Sequence, residues 1–159
     1  MNKSYLLIGG NTGNRAGFLR EAAGLINALA GNITRSSAVY ETAAWGKTDQ
    51  AAFLNQALEL QTALEAVPLM QTLLKIEEQM GRKRAEKYGP RVIDIDMLLY
   101  NDDIVNTMLL TVPHPELANR RFALVPLNEI AGVYVHPLLK KTIGQLLLEC
   151  PDPLPVKKF

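Results

Sequence analysis

The stretches "ITRSSAVYET" (33–42) and "FLNQALELQT" (53–62) both have strand character, and nothing helical separates them. The first is β-branched and aromatic. In the second, Leu54, Leu58 and Leu60 fall on one face and Phe53, Asn55 and Ala57 on the other. The intervening "AAWGKTDQA" (43–51) reads as a loop. Two successive strands with no crossover helix pair antiparallel. That sets aside an alternating parallel α/β sheet and calls for an antiparallel sheet with helices packed on it.

The rest of the chain supplies those helices. "SYLLIGG" (4–10) is an apolar run closed by two glycines, the pattern of a central strand. Asn14 can cap a helix on which Phe18, Ala22, Leu25, Ile26 and Leu29 recur at helical spacing, with Gly31 and Asn32 as its stop. Pro68 suits the first position of a second helix, whose apolar face is Leu69, Leu73, Ile76 and Met80 and whose end is Gly81. "GPRVIDIDMLLY" (89–100) is mostly a buried strand. "NDDIVN" (101–106) reads as a hairpin leading to a short strand at Ile104 and Val105. The segment 111–127 is a proline-broken loop that turns into a helix near Arg120–Leu127, and "TIGQLLLE" (142–149) is a last short helix. The order β-α-β-β-α-β with a C-terminal extension predicts an α+β sandwich of the ferredoxin-like kind, helices on one face. At 159 residues the expectation is one domain, 1–159.

Charge restricts the function only locally, because 17 basic residues meet 16 acidic ones. The single cysteine, Cys150, rules out an internal disulfide and a cysteine-rich zinc site, and in a proline-rich tail it reads as a passive thiol. The first residues lack the long apolar run of a signal peptide, and no stretch approaches the ~20 apolar residues of a membrane span. The expectation is a cytoplasmic monomer with no membrane partner.

Asp94 and Asp96 interrupt the apolar strand. Alternation puts both on one face, about 6.5–7 Å apart. At that parity their neighbours are Val92, Leu98 and Tyr100, whereas Ile93, Ile95, Met97 and Leu99 take the other. One reading is a solvated polar face. The other is a hard-cation site, since Mg²⁺ takes one or two carboxylates, waters and substrate phosphates. Directly before this strand, "GRKRAEKYGPR" (81–91) carries Arg82, Lys83, Arg84, Lys87 and Arg91 between glycines that would let it move. Carboxylate-held metal beside arginines is the equipment of phosphoryl-type transfer, although a solvated charge run is the usual meaning of such a stretch. No Walker loop or kinase signature is present.

Other candidates are weaker one by one. Phe53 and Asn55 share a strand face and together can stack on a flat heterocycle and read its edge. His114, rigid between two prolines, is followed by Arg120, Arg121 and Phe122. Glu77 falls on an apolar helix face and must be paired there. His136 reads as structural, and Trp45 as a lid or surface aromatic.

Together these segments resemble the 6-hydroxymethyl-7,8-dihydropterin pyrophosphokinases of folate biosynthesis. "GPRVIDIDMLLY" is the most specific of them, and "IGGN", "YET", "WG", "FLN", "IEEQMGRKR" and "VPHPELANRRF" follow the family's order. The resemblance implies a ferredoxin-like fold, ATP as co-substrate and two Mg²⁺ ions. It implies transfer of the terminal pyrophosphoryl unit of ATP to the pterin hydroxymethyl group, with AMP released. By the same resemblance Asp94 and Asp96 hold the metals, and Arg82 and Arg91 act on the triphosphate. Arg84, Ile95, His114 and Arg120 would contact ATP. Phe53 and Phe122 would stack on the pterin, with Thr42, Ala43, Trp45 and Asn55 along its edge; Asn11 and Glu77 would support. Gly10 stands where the family commonly has serine, and "TAAWG" where it has T-P-P-x-G. The competing class is a nucleic-acid-binding module, which shares the layout but wants aromatic readers on an open sheet and a basic face.

Overall fold

The computed structural model describes residues 1–43, 50–81 and 92–159. In chain order its elements begin with β1 (Asn2–Gly10), α1 (Arg15–Leu29), β2 (Asn32–Ser36), β3 (Tyr40–Thr42) and β4 (Phe53–Thr62). They continue with α2 (Ala66–Gln79), β5 (Asp94–Tyr100), β6 (Val105–Asn106), β7 (Thr111–Val112), α3 (Arg121–Ala131), α4 (Ile143–Glu149) and β8 (Val156–Lys158). β1 lies between β5 and β4, and β2 and β3 share the far edge of β4, every pairing being antiparallel. This is the expected α+β ferredoxin-like arrangement, with a β6–β7 hairpin and an extension added.

The strand expected over 33–42 is two strands. At the break Ser37 donates its N–H to the Ala57 carbonyl, and its hydroxyl accepts the Ala57 N–H, both at 2.9 Å. A serine hydroxyl that bonds backbone locally replaces one rung of the ladder.

Helices cover both faces of the sheet, not one. Leu6 and Ile8 of β1 and Leu54, Leu58 and Leu60 of β4 pack with Ala22 and Ile26 of α1 and Leu69, Leu73 and Ile76 of α2. On the opposite face Tyr5, Leu7 and Ala57 pack with Ala123, Leu124 and Leu127 of α3 and Ile143 and Leu146 of α4. β1 is buried without a break from Ser4 to Gly10, as befits a strand covered on both sides. The extension exists to cover this second apolar face. Leu19 belongs to the core face of α1, while Leu29 is exposed. Pro68 stands third in α2 rather than first, where its missing N–H is still one of the unpaired donors of a helix start. Gly31 is demanded by packing: a Cβ there would lie 2.2 Å from the Gln61 carbonyl oxygen.

The alternation along β5 also needs correcting. Leu6 faces Met97 and Tyr5 faces Leu99, so Leu98 is an extra residue, a β-bulge. Beyond it the parity flips. Leu98 and Leu99 both join the α3/α4 side and Tyr100 the α1/α2 side. Before the bulge the expected pattern holds, with Ile93, Ile95 and Met97 in the core under α1 and α2.

Candidate active site

Toward the β1 end marked by Gly9, the sheet face covered by α3 opens into a cavity of about 230 Å³. The sheet contributes Leu7, Gly9, Thr42, Ala43, Phe53, Asn55, Asp94 and Asp96. The turn before α3 and its first residues contribute Glu116, Asn119, Arg120 and Phe122. The register explains the sheet side: Gly9 pairs with Asn55 on β4 and with Asp94 on β5, so the three lie abreast. A Cβ at Gly9 would come within 2.1 Å of Asn55 Oδ1, so the glycine makes room for that amide.

Asn55 and Thr42 are 6% and 4% exposed. The Thr42 hydroxyl is buried and has no hydrogen-bond partner among the described residues. A buried polar atom left unpaired costs roughly 1–3 kcal/mol, so its natural partner is a bound molecule.

The strand carrying the aspartates is braced from behind. Among the described residues β5 pairs with β1 alone, so its other edge has no strand beside it. Between Asp94 and Asp96, the Ile95 N–H donates to Glu77 Oε2 at 2.6 Å. Glu77, buried on the core face of α2, thereby takes a donor that an edge strand would otherwise leave unpaired. The Ile95 side chain is 1% exposed, in the α1/α2 core, which leaves its backbone as the part that a nucleotide could reach. Alternation sends the side chain away from the aspartates.

His114 does not line the cavity. Its backbone N–H donates to the Leu98 carbonyl at 2.9 Å, and its Nδ1 accepts the Glu116 N–H at 3.1 Å. Burial lowers its pKa from the usual histidine value and Arg120 lowers it further, while Glu116 and Asp94 pull the other way. With Nδ1 accepting the Glu116 N–H, Nε2 is the ring nitrogen left to donate. The two adjacent arginines separate. Arg120 reaches the cavity, its guanidinium carbon 5.7 Å from the Phe122 ring centroid, in cation–π range. Arg121 turns away and binds the carbonyls of Asp152 and Cys150.

Asn11 sits outside the cavity and donates to Gln50 Oε1 and the Ala51 carbonyl. Trp45, Arg82, Arg84 and Arg91 lie outside the described residues. Leu7, Gly9, Glu116 and Asn119 are the cavity residues that sequence reasoning missed; the last two stand two and five residues after His114, in the same "VPHPELANRRF" motif. His136 is structural as expected, its Nδ1 accepting the N–H groups of Leu138 and Leu139.

Residues 5–132 match the family model of 7,8-dihydro-6-hydroxymethylpterin-pyrophosphokinase (HPPK). The chain belongs to this family. It is 41% identical over 141 residues to the 2-amino-4-hydroxy-6-hydroxymethyldihydropteridine pyrophosphokinase of Aquifex aeolicus, covering 89% of this chain and 88% of that one. It is 42% identical over 130 residues to the Bacillus subtilis protein of the same name, covering 81% and 78%. Among solved structures, wild-type HPPK-DHPS from Plasmodium falciparum superposes with a TM-score of 0.75 at 18% identity, over 93% of this chain. The chain spans 43% of that longer one, and at such identity the likeness concerns the fold. The nucleic-acid-binding alternative finds no support: α3 and α4 cover the sheet face that would have to stay open for bases. No helix among the described residues is long and apolar enough to cross a membrane.

Proposed function

We propose that the cavity joins a reduced pterin to ATP, and that the chain transfers the terminal pyrophosphoryl group of ATP to the 6-hydroxymethyl oxygen of the 7,8-dihydropterin, releasing AMP. One observation carries this reading. Two phenylalanines, a buried amide, a buried unpartnered hydroxyl and two aspartates line a single cavity. That is a slot for a flat heterocycle opening onto a site for a charged phosphate chain. The relatives named as pyrophosphokinases, matched over most of their length, support it.

Each residue then has a task. Phe53 and Phe122 stack on the pterin, and Asn55 and the Thr42 hydroxyl satisfy its polar edge, with Ala43 beside them. Arg120 offers a planar fork to phosphate oxygens. His114 offers its Nε2–H to a phosphate oxygen. From the sequence, Arg82, Arg84 and Arg91 add cations for the triphosphate, Arg82 and Arg91 on the transferring group, and Trp45 adds to the pterin edge.

The donor chemistry of the cavity fits Mg²⁺. Asp94 and Asp96 are two hard oxygen donors lining the same cavity. Mg²⁺ prefers such a partial protein shell, completed by water and phosphate. When bound there, Mg²⁺ ions would neutralise the phosphate oxygens and stabilise charge on the attacking and leaving oxygens. In the reaction the hydroxymethyl oxygen bonds to the β-phosphorus while the bond from that phosphorus to the α-phosphate oxygen breaks. The hydroxyl proton passes to solvent, the bridging oxygen keeps the electron pair of the broken bond, and AMP departs with it. The protein supplies alignment and electrostatics. Asp94→Ala should lower turnover by at least about 10²-fold with an unchanged thermal melt; full turnover in that variant would remove the aspartates from the chemistry.

A further inference from the structure

Arg15, the first residue of α1, does not line the cavity, yet it holds the wall that does. Its Nη1 donates to Glu41 Oε2 at 2.7 Å and to the Ala52 carbonyl at 2.8 Å. Glu41 is the middle residue of β3, and the next residue is Thr42; Ala52 immediately precedes Phe53. One guanidinium nitrogen therefore ties together the two backbone segments from which Thr42 and Phe53 enter the cavity. The register agrees, because Thr42 and Phe53 are themselves cross-strand partners.

The guanidinium is fixed in its turn. The Phe159 ring centroid lies 5.7 Å from its central carbon, and the Phe159 N–H donates to the Val39 carbonyl just before β3. β8 pairs with β3 alongside. The Asn14 side chain accepts the Gly17 N–H and anchors the start of α1, so the base of Arg15 is set by the helix. The ion pair is partly shielded, with the two side chains 24% and 38% exposed. Shielding and a second acceptor on the same nitrogen distinguish it from an ordinary surface pair, whose worth is small.

We propose that Arg15 is a positioning residue for the pterin wall: by clamping Glu41 to the Ala52 carbonyl it sets the spacing of Thr42 and Phe53, and hence affinity for the flat substrate but not for the nucleotide. This rests on the assignment of a pterin to the cavity. Small displacements of positioning groups are costly, about 10²-fold for 1 Å. A loosened wall that other β3–β4 bonds still hold should lose roughly ten-fold.

The test titrates 6-hydroxymethyl-7,8-dihydropterin into protein saturated with Mg²⁺ and an α,β-methylene ATP analogue, which lacks the oxygen bridge that breaks. Arg15→Ala should bind the pterin about ten-fold more weakly, with nucleotide affinity unchanged, and Arg15→Lys should recover part of the loss. Pterin affinity equal to wild type, with only a lowered melting temperature, would make Arg15 a fold staple and overturn the inference. Should Arg15→Ala fail to fold, Glu41→Gln carries the test: it must weaken pterin binding in the same direction, and wild-type affinity in it overturns the inference. If the wild-type protein itself takes up no pterin, the assignment of the cavity fails, and this inference with it.

Discussion

In Gly9→Ala the added Cβ would fall 2.1 Å from Asn55 Oδ1 and 2.9 Å from the Leu54 carbonyl oxygen. The first distance lies more than an ångström inside the 3.4 Å at which ordinary contact begins. The backbone cannot give way easily, because Gly9 sits between two ladders, opposite Asn55 and Asp94. The amide must therefore leave its place, and the carbonyl contact adds strain. Overpacking of this kind destabilises by about 1–3 kcal/mol. A positioning group displaced by about 1 Å costs roughly 10²-fold in rate. The expected result is a fall of that order in kcat/KM for the pterin, with little change in KM for ATP. It is read from initial rates at varied pterin and saturating Mg²⁺-ATP, beside a urea unfolding curve. Gly24→Ala is the control. That glycine lies on the exposed side of α1 with nothing within 4 Å of its would-be Cβ. It should gain up to about 1 kcal/mol of stability at unchanged activity. Wild-type pterin kinetics in a folded Gly9→Ala protein would refute both the tightness of this floor and the role of Asn55.

Glu77→Ala removes the acceptor of the Ile95 N–H from a buried edge, which should cost about 1–3 kcal/mol and loosen the aspartate pair. A Mg²⁺ titration of turnover should then require more metal, and an unchanged metal dependence would contradict the bracing. Burial lowers the pKa of His136, so the folded protein binds that proton more weakly than the unfolded chain does. The resulting stability is present above the unfolded value of about 6.5 and is lost as pH falls through the folded one. His136→Asn, which keeps an acceptor for the backbone N–H groups, should show a shallower loss of melting temperature on acidification; identical slopes would contradict the assignment.

The sheet was legible because hydrophobic runs and glycines mark its strands without help from distant contacts. Asp94 and Asp96 stood out because charge on a buried strand needs a reason, and Phe53 with Asn55 because alternation alone puts them on one face. What stayed hidden depends on tertiary context. Leu98 reads as any other strand residue, and only its pairing with β1 makes it a bulge. β8 lies in a proline-bearing tail, where local propensity argues against a strand and only the free edge of β3 recruits it. The coverage of the second face was written into β1, whose Tyr5 and Leu7 are as apolar as Leu6 and Ile8, but a short run of that kind fits one-sided and two-sided burial alike. Glu116 and Asn119 reach the cavity through the turn around Leu117, a path that no periodicity reveals.

Pyrophosphoryl transfer in this cavity is read from the nucleotide that the reaction releases. Purified protein is mixed with Mg²⁺-ATP and 6-hydroxymethyl-7,8-dihydropterin, and the nucleotides are separated by chromatography. AMP should form one-for-one with the pterin diphosphate, and only when both pterin and metal are present. ADP, or free pyrophosphate with a nucleotidylated pterin, would contradict pyrophosphoryl transfer.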